Sequence, residues 1–324
     1  MGSISLLYKT SRMVYPKAPY NFDATVFKPS HYPDPLKVYE PGKYWFALRF
    51  ESQVYGIRLL NKGTIKNPKI QVVIFGRKPL KRGEVQQIIA EVGYRFEFER
   101  DISEFNKKFK NDKILSPFLK RWLGMRMVCA QDLYGLLMIM IFLQNTVVRR
   151  SVQMTKVMLS KYGVKVKFDK KEVFCFWQPK DMLKVPEKDL RALKVGYRAK
   201  LFIKTSETFV KERIDELALR RLPKEEIKKE LFKIYGIGPE TARGLLHECF
   251  HSWGALEHVA PWQQKIYSRL LFRKKMVPAE RIVRYIQDKW GEWATLAAHY
   301  IWEDIFWQRK HGRKIEWLEK EIRL

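Results

Sequence analysis

The chain has 324 residues and a formal net charge of +28 at pH 7, from 63 lysines and arginines against 35 aspartates and glutamates. Its 46% apolar and 14% aromatic content excludes a disordered polypeptide, and three scattered cysteines without a CxxC pair exclude a disulfide scaffold or a cysteine-held cluster. The longest apolar run, at 133–143, is too short to span a bilayer. The excess positive charge favours a polyanionic partner, most often a nucleic acid. With no secretory-type signal at the start, we expect a cytoplasmic protein, nucleoid-associated in a prokaryote.

The first third of the chain has a strand-like pattern. Three short runs rich in aromatic and β-branched residues are separated by Gly, Pro and Asn turn signals: KYWFALRFES, QVYGIRLLN and KIQVVIFGR. The segment GEVQQIIAEVGYRF, at 83–96, then shows a helical apolar period. We therefore predict a small α+β domain with an antiparallel sheet over residues 1–112.

The remainder, residues 113–324, is predicted to be an all-α region. Helical spacing or helix caps predict helices at 133–143, 152–162, 199–212, 224–235, 239–251, 261–272, 280–290 and 294–308. The predicted architecture is thus a small sheet domain followed by a larger helical one.

The segment LFKIYGIGPETARGLL predicts a hairpin of two helices. A helix ends near Tyr235, Gly236 and Gly238 follow, and Pro239 begins the next helix. Glycines permit positive φ and a close backbone approach, and the N–H groups at a helix start can hold a phosphate. In a chain of charge +28 this pattern favours phosphate binding, although a plain tight connection between helices is the alternative.

The segment HVAPWQQKIYSRLL predicts a helix that lacks its cap. Pro261 suits the first helical position, which makes Ala260 the N-cap residue. Serine, threonine, aspartate or asparagine is expected at an N-cap, and alanine is among the poorest choices. The missing cap therefore calls for an explanation.

Five segments in order resemble the HhH-GPD superfamily of DNA glycosylases, most like its 3-methyladenine DNA glycosylase II and 8-oxoguanine DNA glycosylase branches. The hairpin IYGIGPETARGLL resembles the helix-hairpin-helix of the family, and LKVGYRAKLFIKTSETF is similar to its GYRAKY segment. IFLQNTVVRRSVQMTKVMLSKYG resembles the helix whose first turn carries gap-filling residues, and WGEWATLAAHYIWEDIFW repeats the tryptophan spacing of the C-terminal helix. The segment from His258 stands where the family has its catalytic aspartate.

The resemblance implies a partner and a backbone anchor. The partner is double-stranded DNA containing a damaged base, and we expect a monomer with no cofactor, no metal and no membrane attachment. Gly236 and Gly238 are implied to hold the DNA backbone, helped by Thr241 and Arg243.

It further implies residues that act on an extruded base. Gln144 and Asn145 would fill the vacated space, because amides can hydrogen-bond the widowed base; capping or decorating a helix is their alternative role. The residues implied to contact the opposite strand are Arg150, Tyr197 and Arg198. Trp302 is implied to stack on the base, with ordinary core packing as the alternative.

Cleavage of the glycosidic bond passes through an oxocarbenium-like transition state that a carboxylate stabilises. The family aspartate falls at Ala260 in this chain, and the lysine that bifunctional relatives use for a Schiff base falls at Glu240. The resemblance therefore implies a monofunctional glycosylase of base excision repair acting on an alkylated, deaminated or oxidised base. Our hypothesis is that Ala260 is an engineered replacement of aspartate, which leaves this chain inactive.

Two alternatives remain from the sequence. A non-catalytic protein that binds damaged DNA on a glycosylase scaffold would also account for Ala260. HECFH, at 247–251, matches the HExxH pattern in which His247 and His251 share a helix face and hold zinc in proteases. The second alternative is weaker, because that stretch is already explained as the second hairpin helix.

Overall fold

A computed structural model describes residues 2–31, 34–254, 256–313 and 316–321. Within those ranges the strands are β1 (Ser3–Ser5), β2 (Tyr8–Val14), β3 (Lys37–Glu40), β4 (Lys43–Phe50), β5 (Gln53–Asn61), β6 (Ile70–Gly76), β7 (Val164–Phe168) and β8 (Lys171–Cys175). The helices are α1 (Phe22–Val26), α2 (Arg82–Arg95), α3 (Ser103–Phe109), α4 (Ser116–Trp122), α5 (Leu133–Leu143), α6 (Val148–Tyr162), α7 (Pro179–Met182), α8 (Glu187–Ala192), α9 (Arg198–Lys211), α10 (Glu216–Leu219), α11 (Lys224–Phe232), α12 (Pro239–Glu248), α13 (Pro261–Phe272), α14 (Ala279–Trp290), α15 (Ala294–Lys310) and α16 (Glu316–Glu321).

The predicted antiparallel sheet is confirmed, with strand order β2-β6-β5-β4-β3. Side chains alternate between the two faces of a sheet. The central strands are apolar on both faces, because other parts of the protein pack against each face. Phe46, Ile57 and Ile74 belong to the cluster that contains the apolar residues of α2, whereas Trp45 and Phe75 belong to a second cluster shared with β7 and β8.

The prediction of an all-α second region is wrong at one place. β7 and β8 form an antiparallel hairpin within the helical part, and β1 pairs with β7 in parallel. The sequence VKVKFDKKEVF alternates with period two, and its turn residues Asp169 and Lys170 both have positive φ, as short hairpin turns require. The Asp169 carboxylate accepts hydrogen bonds from Trp45 (2.7 Å) and Arg58 (2.6 Å), which fixes this hairpin on the N-terminal sheet.

The helices pack into two groups, each with its own core. One core is built mainly from α5, α6, α9, α11 and α12, and the other from α3, α4, α13, α14 and α15. The predicted helices are all present, with ends shifted by a few residues. In the described ranges, none of these helices has the length and apolarity that crossing a membrane requires. The boundary between residues 112 and 113 stays a prediction.

Glu97 is a buried carboxylate at the junction between α2 and the helical region. Its side chain is 1% exposed, and Arg100 and His251 lie at 3.5 and 3.8 Å from its Oε1. Within the described part of the chain, neither carboxylate oxygen accepts a hydrogen bond. Burial raises the pKa of Glu97 to about 8, against the opposing effect of nearby cations led by Arg100.

We expect this carboxyl group to make the protein less stable as the pH rises from 5 to 9. The unfolded chain releases the Glu97 proton near its ordinary pKa of 4.5, whereas the folded protein keeps it until about pH 8. Glu97→Gln should therefore raise the free energy of unfolding by up to about 4 kcal/mol at pH 9 and change it little at pH 5. Urea unfolding at both pH values measures this, with exposed Glu99→Gln as the control. Equal effects of Glu97→Gln at pH 5 and pH 9 would refute the assignment.

Candidate nucleic-acid interface

The hairpin predicted around the two glycines is confirmed, and its turn is open to solvent. Gly236 has φ +86°, a left-handed conformation that favours glycine. Gly238 is the N-cap residue of α12, and a Cβ added there would meet no atom within 4 Å. The first N–H groups of α12 have no partner within the helix, so the turn offers backbone donors to an anion.

Helix α9 holds this turn in place. Thr205 donates its hydroxyl to the Tyr235 carbonyl at 2.9 Å, and Leu201 packs against Gly236. At the start of the same helix, the Arg198 guanidinium donates to the carbonyls of Ile141 (3.0 Å) and Gln144. One helix therefore fixes both the hairpin turn and the end of α5.

The contact predicted between Arg198 and the opposite DNA strand stays a prediction. Arg198 is 6% exposed, and its donors are directed at backbone carbonyls inside the protein. Within the protein, these hydrogen bonds position the loop that carries Gln144 and Asn145.

Gln144 and Asn145 lie in the loop between α5 and α6, not in the first turn of a helix as the resemblance implied. Asn145 is exposed with φ +47°, and its amide donates to the Tyr197 hydroxyl at 3.3 Å. Tyr197 is 46% exposed, and Arg150 donates to the Lys194 carbonyl at 2.6 Å. These side chains share one exposed loop surface next to the start of α9. Their contacts with DNA stay predictions.

A cavity of about 590 Å³ lies behind this loop. Its volume falls in the range of small-ligand sites. Leu143 lines the cavity and directly precedes Gln144, so the loop stands at its edge. Trp302 lines another wall and meets Phe306 edge to face, with ring centroids 4.8 Å apart. The predicted stacking residue thus faces a cavity and is not closed into the core.

The cavity is also lined by ionisable groups that the sequence did not place there: Lys28, His31, Asp34, Lys37, Glu248, His299 and Glu303. Burial raises the pKa of both glutamates and lowers the pKa of Lys28. Burial likewise holds the pKa of His299 well below its usual value, so its ring is neutral. The spacing of His299, Trp302, Glu303 and Phe306 on one face of α15 could have revealed part of this set, whereas Lys28 lies in a loop without any pattern.

Ala260 is the N-cap residue of α13, as predicted. Its backbone is extended, with φ −64° and ψ 151°, and its side chain is 6% exposed. The Gln263 side chain accepts a hydrogen bond from the Ala260 N–H at 3.2 Å, which is one half of a capping box. The methyl group of alanine cannot supply the other half, so the helix start lacks a side-chain acceptor.

The hairpin is connected to the segment before Ala260 by ion pairs. Glu240 accepts from Arg243 at 2.8 Å and lies 3.2 Å from Nε2 of His258. Glu257 is paired with Lys224 at 2.7 Å and with Lys228 at 3.6 Å. Of these two acids, Glu257 is ion-paired with lysines of α11, while Glu240 lies beside His258. Thr241 follows Glu240 in the first turn of α12 and is half-buried.

The zinc-protease alternative does not fit the local geometry. Helix α12 ends at Glu248, and His251 lies beyond it with φ +50°, so His247 and His251 do not share a helix face. Burial first, and then nearby cations, lower the pKa of each histidine to about 3. In the ranges that the structure covers, no group of three or more His, Cys, Asp or Glu side chains is placed to hold a metal ion.

The fold is similar to that of DNA glycosylases of known structure. The 3-methyladenine DNA glycosylase from Archaeoglobus fulgidus superposes with a TM-score of 0.72 at 18% identity, covering 91% of this chain and 99% of that one. The Clostridium acetobutylicum 8-oxoguanine glycosylase/lyase, in complex with double-stranded DNA containing cytosine opposite 8-oxoG, gives a TM-score of 0.67 at 19% identity over 93% and 98% of the chains.

In sequence, the chain is similar to the DNA-3-methyladenine glycosylase of Bacillus subtilis. The two are 22% identical over 255 residues, which cover 77% of this chain and 83% of the relative. No protein-family model matches the chain. The resemblance to HhH-GPD glycosylases of the 3-methyladenine and 8-oxoguanine type is confirmed in fold and in sequence.

Proposed function

We propose that the chain is a DNA glycosylase scaffold of base excision repair that binds duplex DNA and extrudes a damaged base into the cavity beside Trp302. The observation that carries this proposal is the position of the Gln144–Asn145 loop, at the edge of that cavity and fixed by the same helix as the glycine hairpin. The hairpin anchors a phosphate, the loop fills the gap in the stack, and the cavity takes the base. Extrusion is required because the glycosidic bond is inaccessible within a duplex.

The proposed reaction is hydrolysis without strand cleavage, and this chain lacks its catalyst. Glu240 stands at the position of the family lysine, and a carboxylate cannot form a Schiff base. Ala260 stands at the position of the family aspartate and has no group that could stabilise an oxocarbenium ion. We therefore propose that the chain holds a damaged base without releasing it.

A non-catalytic protein that recognises damaged DNA is the second candidate, and Ala260 is the observation that favours it. The two candidates share the same DNA-binding surface and differ only in whether an aspartate at position 260 restores chemistry. That difference is testable with a single substitution.

The DNA-binding surface that both candidate functions share is tested by measuring DNA affinity. The parent chain with Ala260, here termed wild type, should bind a duplex with one abasic-site analogue at least tenfold more tightly than the undamaged duplex at equal salt, because a vacant site spares the cost of extrusion. Removing both loop amides, Gln144→Ala with Asn145→Ala, should abolish this preference. Exposed Asn111→Ala is the control and should keep it. Equal wild-type affinity for the two duplexes, measured by fluorescence anisotropy, would contradict the proposal.

A further inference from the structure

The polar groups in the cavity are not equally engaged with the protein. Glu303 uses both carboxylate oxygens on Ser30, accepting from its N–H at 2.9 Å and from its hydroxyl at 2.6 Å. Glu248, by contrast, has neither a hydrogen bond nor an ion pair in the part of the chain that the structure describes. Glu303 therefore holds the cavity wall together, and Glu248 remains available to an occupant.

Lys28 is a buried cation that lines the same cavity as Glu248. It is 3% exposed and donates one hydrogen bond, to the Val128 carbonyl at 3.1 Å, although an ammonium group has three donors. Glu248 is the leading negative charge acting on Lys28, and Lys28 is the leading positive charge acting on Glu248. Both side chains line the cavity, and among the described residues they form no ion pair within 4 Å.

A carboxylate beside an ammonium group selects one kind of base edge. The Watson–Crick edge of guanine presents two adjacent donors, N1–H and the 2-amino group, followed by the O6 acceptor. A carboxylate accepts two parallel hydrogen bonds from adjacent donors, and an ammonium group donates to a carbonyl. Adenine offers one donor and one acceptor on that edge, which would leave a carboxylate oxygen facing a ring nitrogen.

We infer that Glu248 and Lys28 read the Watson–Crick edge of an extruded guanine-type lesion, with Glu248 accepting from N1–H and the 2-amino group and Lys28 donating to O6. Trp302 would supply the stacking face. This inference rests on the proposed function, because it needs an extruded base in the cavity. It makes Glu248 the residue that determines specificity, since buried polar groups left unpaired reject a base that lacks the matching group.

Hypoxanthine is the matched probe, because it equals guanine without the 2-amino group. We expect the wild-type chain to bind a duplex with 8-oxoguanine opposite cytosine about 10- to 100-fold more tightly than one with hypoxanthine opposite cytosine. The weaker pairing of hypoxanthine with cytosine makes its extrusion easier, so pairing strength alone predicts the reverse order. Fluorescence anisotropy at one salt concentration measures both affinities.

The two variants separate the two contacts. Glu248→Gln should reduce the preference for 8-oxoguanine over hypoxanthine to less than threefold, because the glutamine amide offers one acceptor where two are needed. Lys28→Met should weaken binding of both lesions equally, since both carry O6, and should keep the preference. Exposed Glu172→Gln is the control for loss of a carboxylate and should change neither value.

The abasic-site analogue distinguishes a failed inference from a failed function. Both variants should bind the abasic duplex like the wild-type chain, because no base occupies the cavity. Wild-type binding that favours the abasic duplex but not 8-oxoguanine over hypoxanthine overturns the inference alone. Loss of abasic binding in Glu248→Gln also overturns it, by showing a structural role. No wild-type preference for the abasic duplex overturns the proposed function and the inference together.

Discussion

Aspartate at position 260 should turn the chain into a glycosylase. We expect Ala260→Asp to release at least one alkylated, deaminated or oxidised base from duplex DNA about 10²- to 10⁴-fold faster than the wild-type chain, the range that a positioned acid or base contributes. The carboxylate would stand at the α13 start, two residues after His258, which lies against the hairpin through Glu240. Alkali treatment of labelled duplexes, which cleaves at abasic sites, measures the release.

The same substitution should stabilise the protein. An N-cap aspartate accepts a backbone N–H of the first turn that alanine leaves unpaired, which contributes about 0.5–2 kcal/mol. Ala260→Asn is the matched control, because asparagine caps a helix about as well but carries no charge. We expect both variants to raise the free energy of unfolding and only the aspartate variant to release bases.

Three results would contradict this assignment. Equal activity of the aspartate and asparagine variants would show that position 260 contributes a cap and no chemistry. Base release by the wild-type chain that is abolished by Glu240→Gln would place the catalytic carboxylate on the hairpin instead. Absence of activity in Ala260→Asp across the whole lesion panel would favour the non-catalytic DNA-binding protein.

The sequence revealed those parts of the site that depend on local backbone chemistry. Gly236 and Gly238 mark a turn that needs positive φ and open space, and Pro261 marks a helix start; both patterns act over a few residues. The poor N-cap residue Ala260 could also be recognised from the sequence, because N-cap preferences depend on only a few neighbouring residues.

The sequence did not reveal what depends on distant packing. β1 pairs with β7 across about 160 residues of chain. A three-residue strand is too short for its sequence pattern to predict which strand it pairs with. Arg198 lies in a segment that resembles a DNA-contacting motif, yet tertiary packing directs its guanidinium at the carbonyls of Ile141 and Gln144. Lys28 and Glu248 line a cavity whose walls come from distant parts of the chain.

Helix α9 holds the Gln144–Asn145 loop and the glycine hairpin in fixed positions relative to each other. Arg198, Leu201 and Thr205 lie on one face of the helix, at spacings of three and four residues, and reach the α5 end and the hairpin turn. The Gln144–Asn145 loop, proposed to fill the gap, and the hairpin turn, proposed to anchor a phosphate, therefore keep a fixed separation. A rigid separation suits a protein that must grip the DNA backbone while it displaces a base.

A side chain at Gly238 should block DNA binding without disturbing the fold. Gly238 has φ −98° and ψ 177°, which any residue adopts, and an added Cβ would meet nothing in the protein. A phosphate held by the first N–H groups of α12 would occupy that open space. We expect Gly238→Val to weaken binding of duplex DNA about 10- to 100-fold, the effect of losing hydrogen bonds to a charged group.

Gly83→Val is the matched control for Gly238→Val. Gly83 lies in the first turn of α2, and an added Cβ there also meets no atom within 4 Å. Both variants should keep the thermal midpoint of the wild-type chain within a few degrees, and only Gly238→Val should lose affinity in fluorescence anisotropy. Gly236 is unsuitable for this comparison, because its φ of +86° would strain any side chain and lower stability by itself. Unchanged DNA affinity in Gly238→Val would show that the hairpin is a simple helix connection.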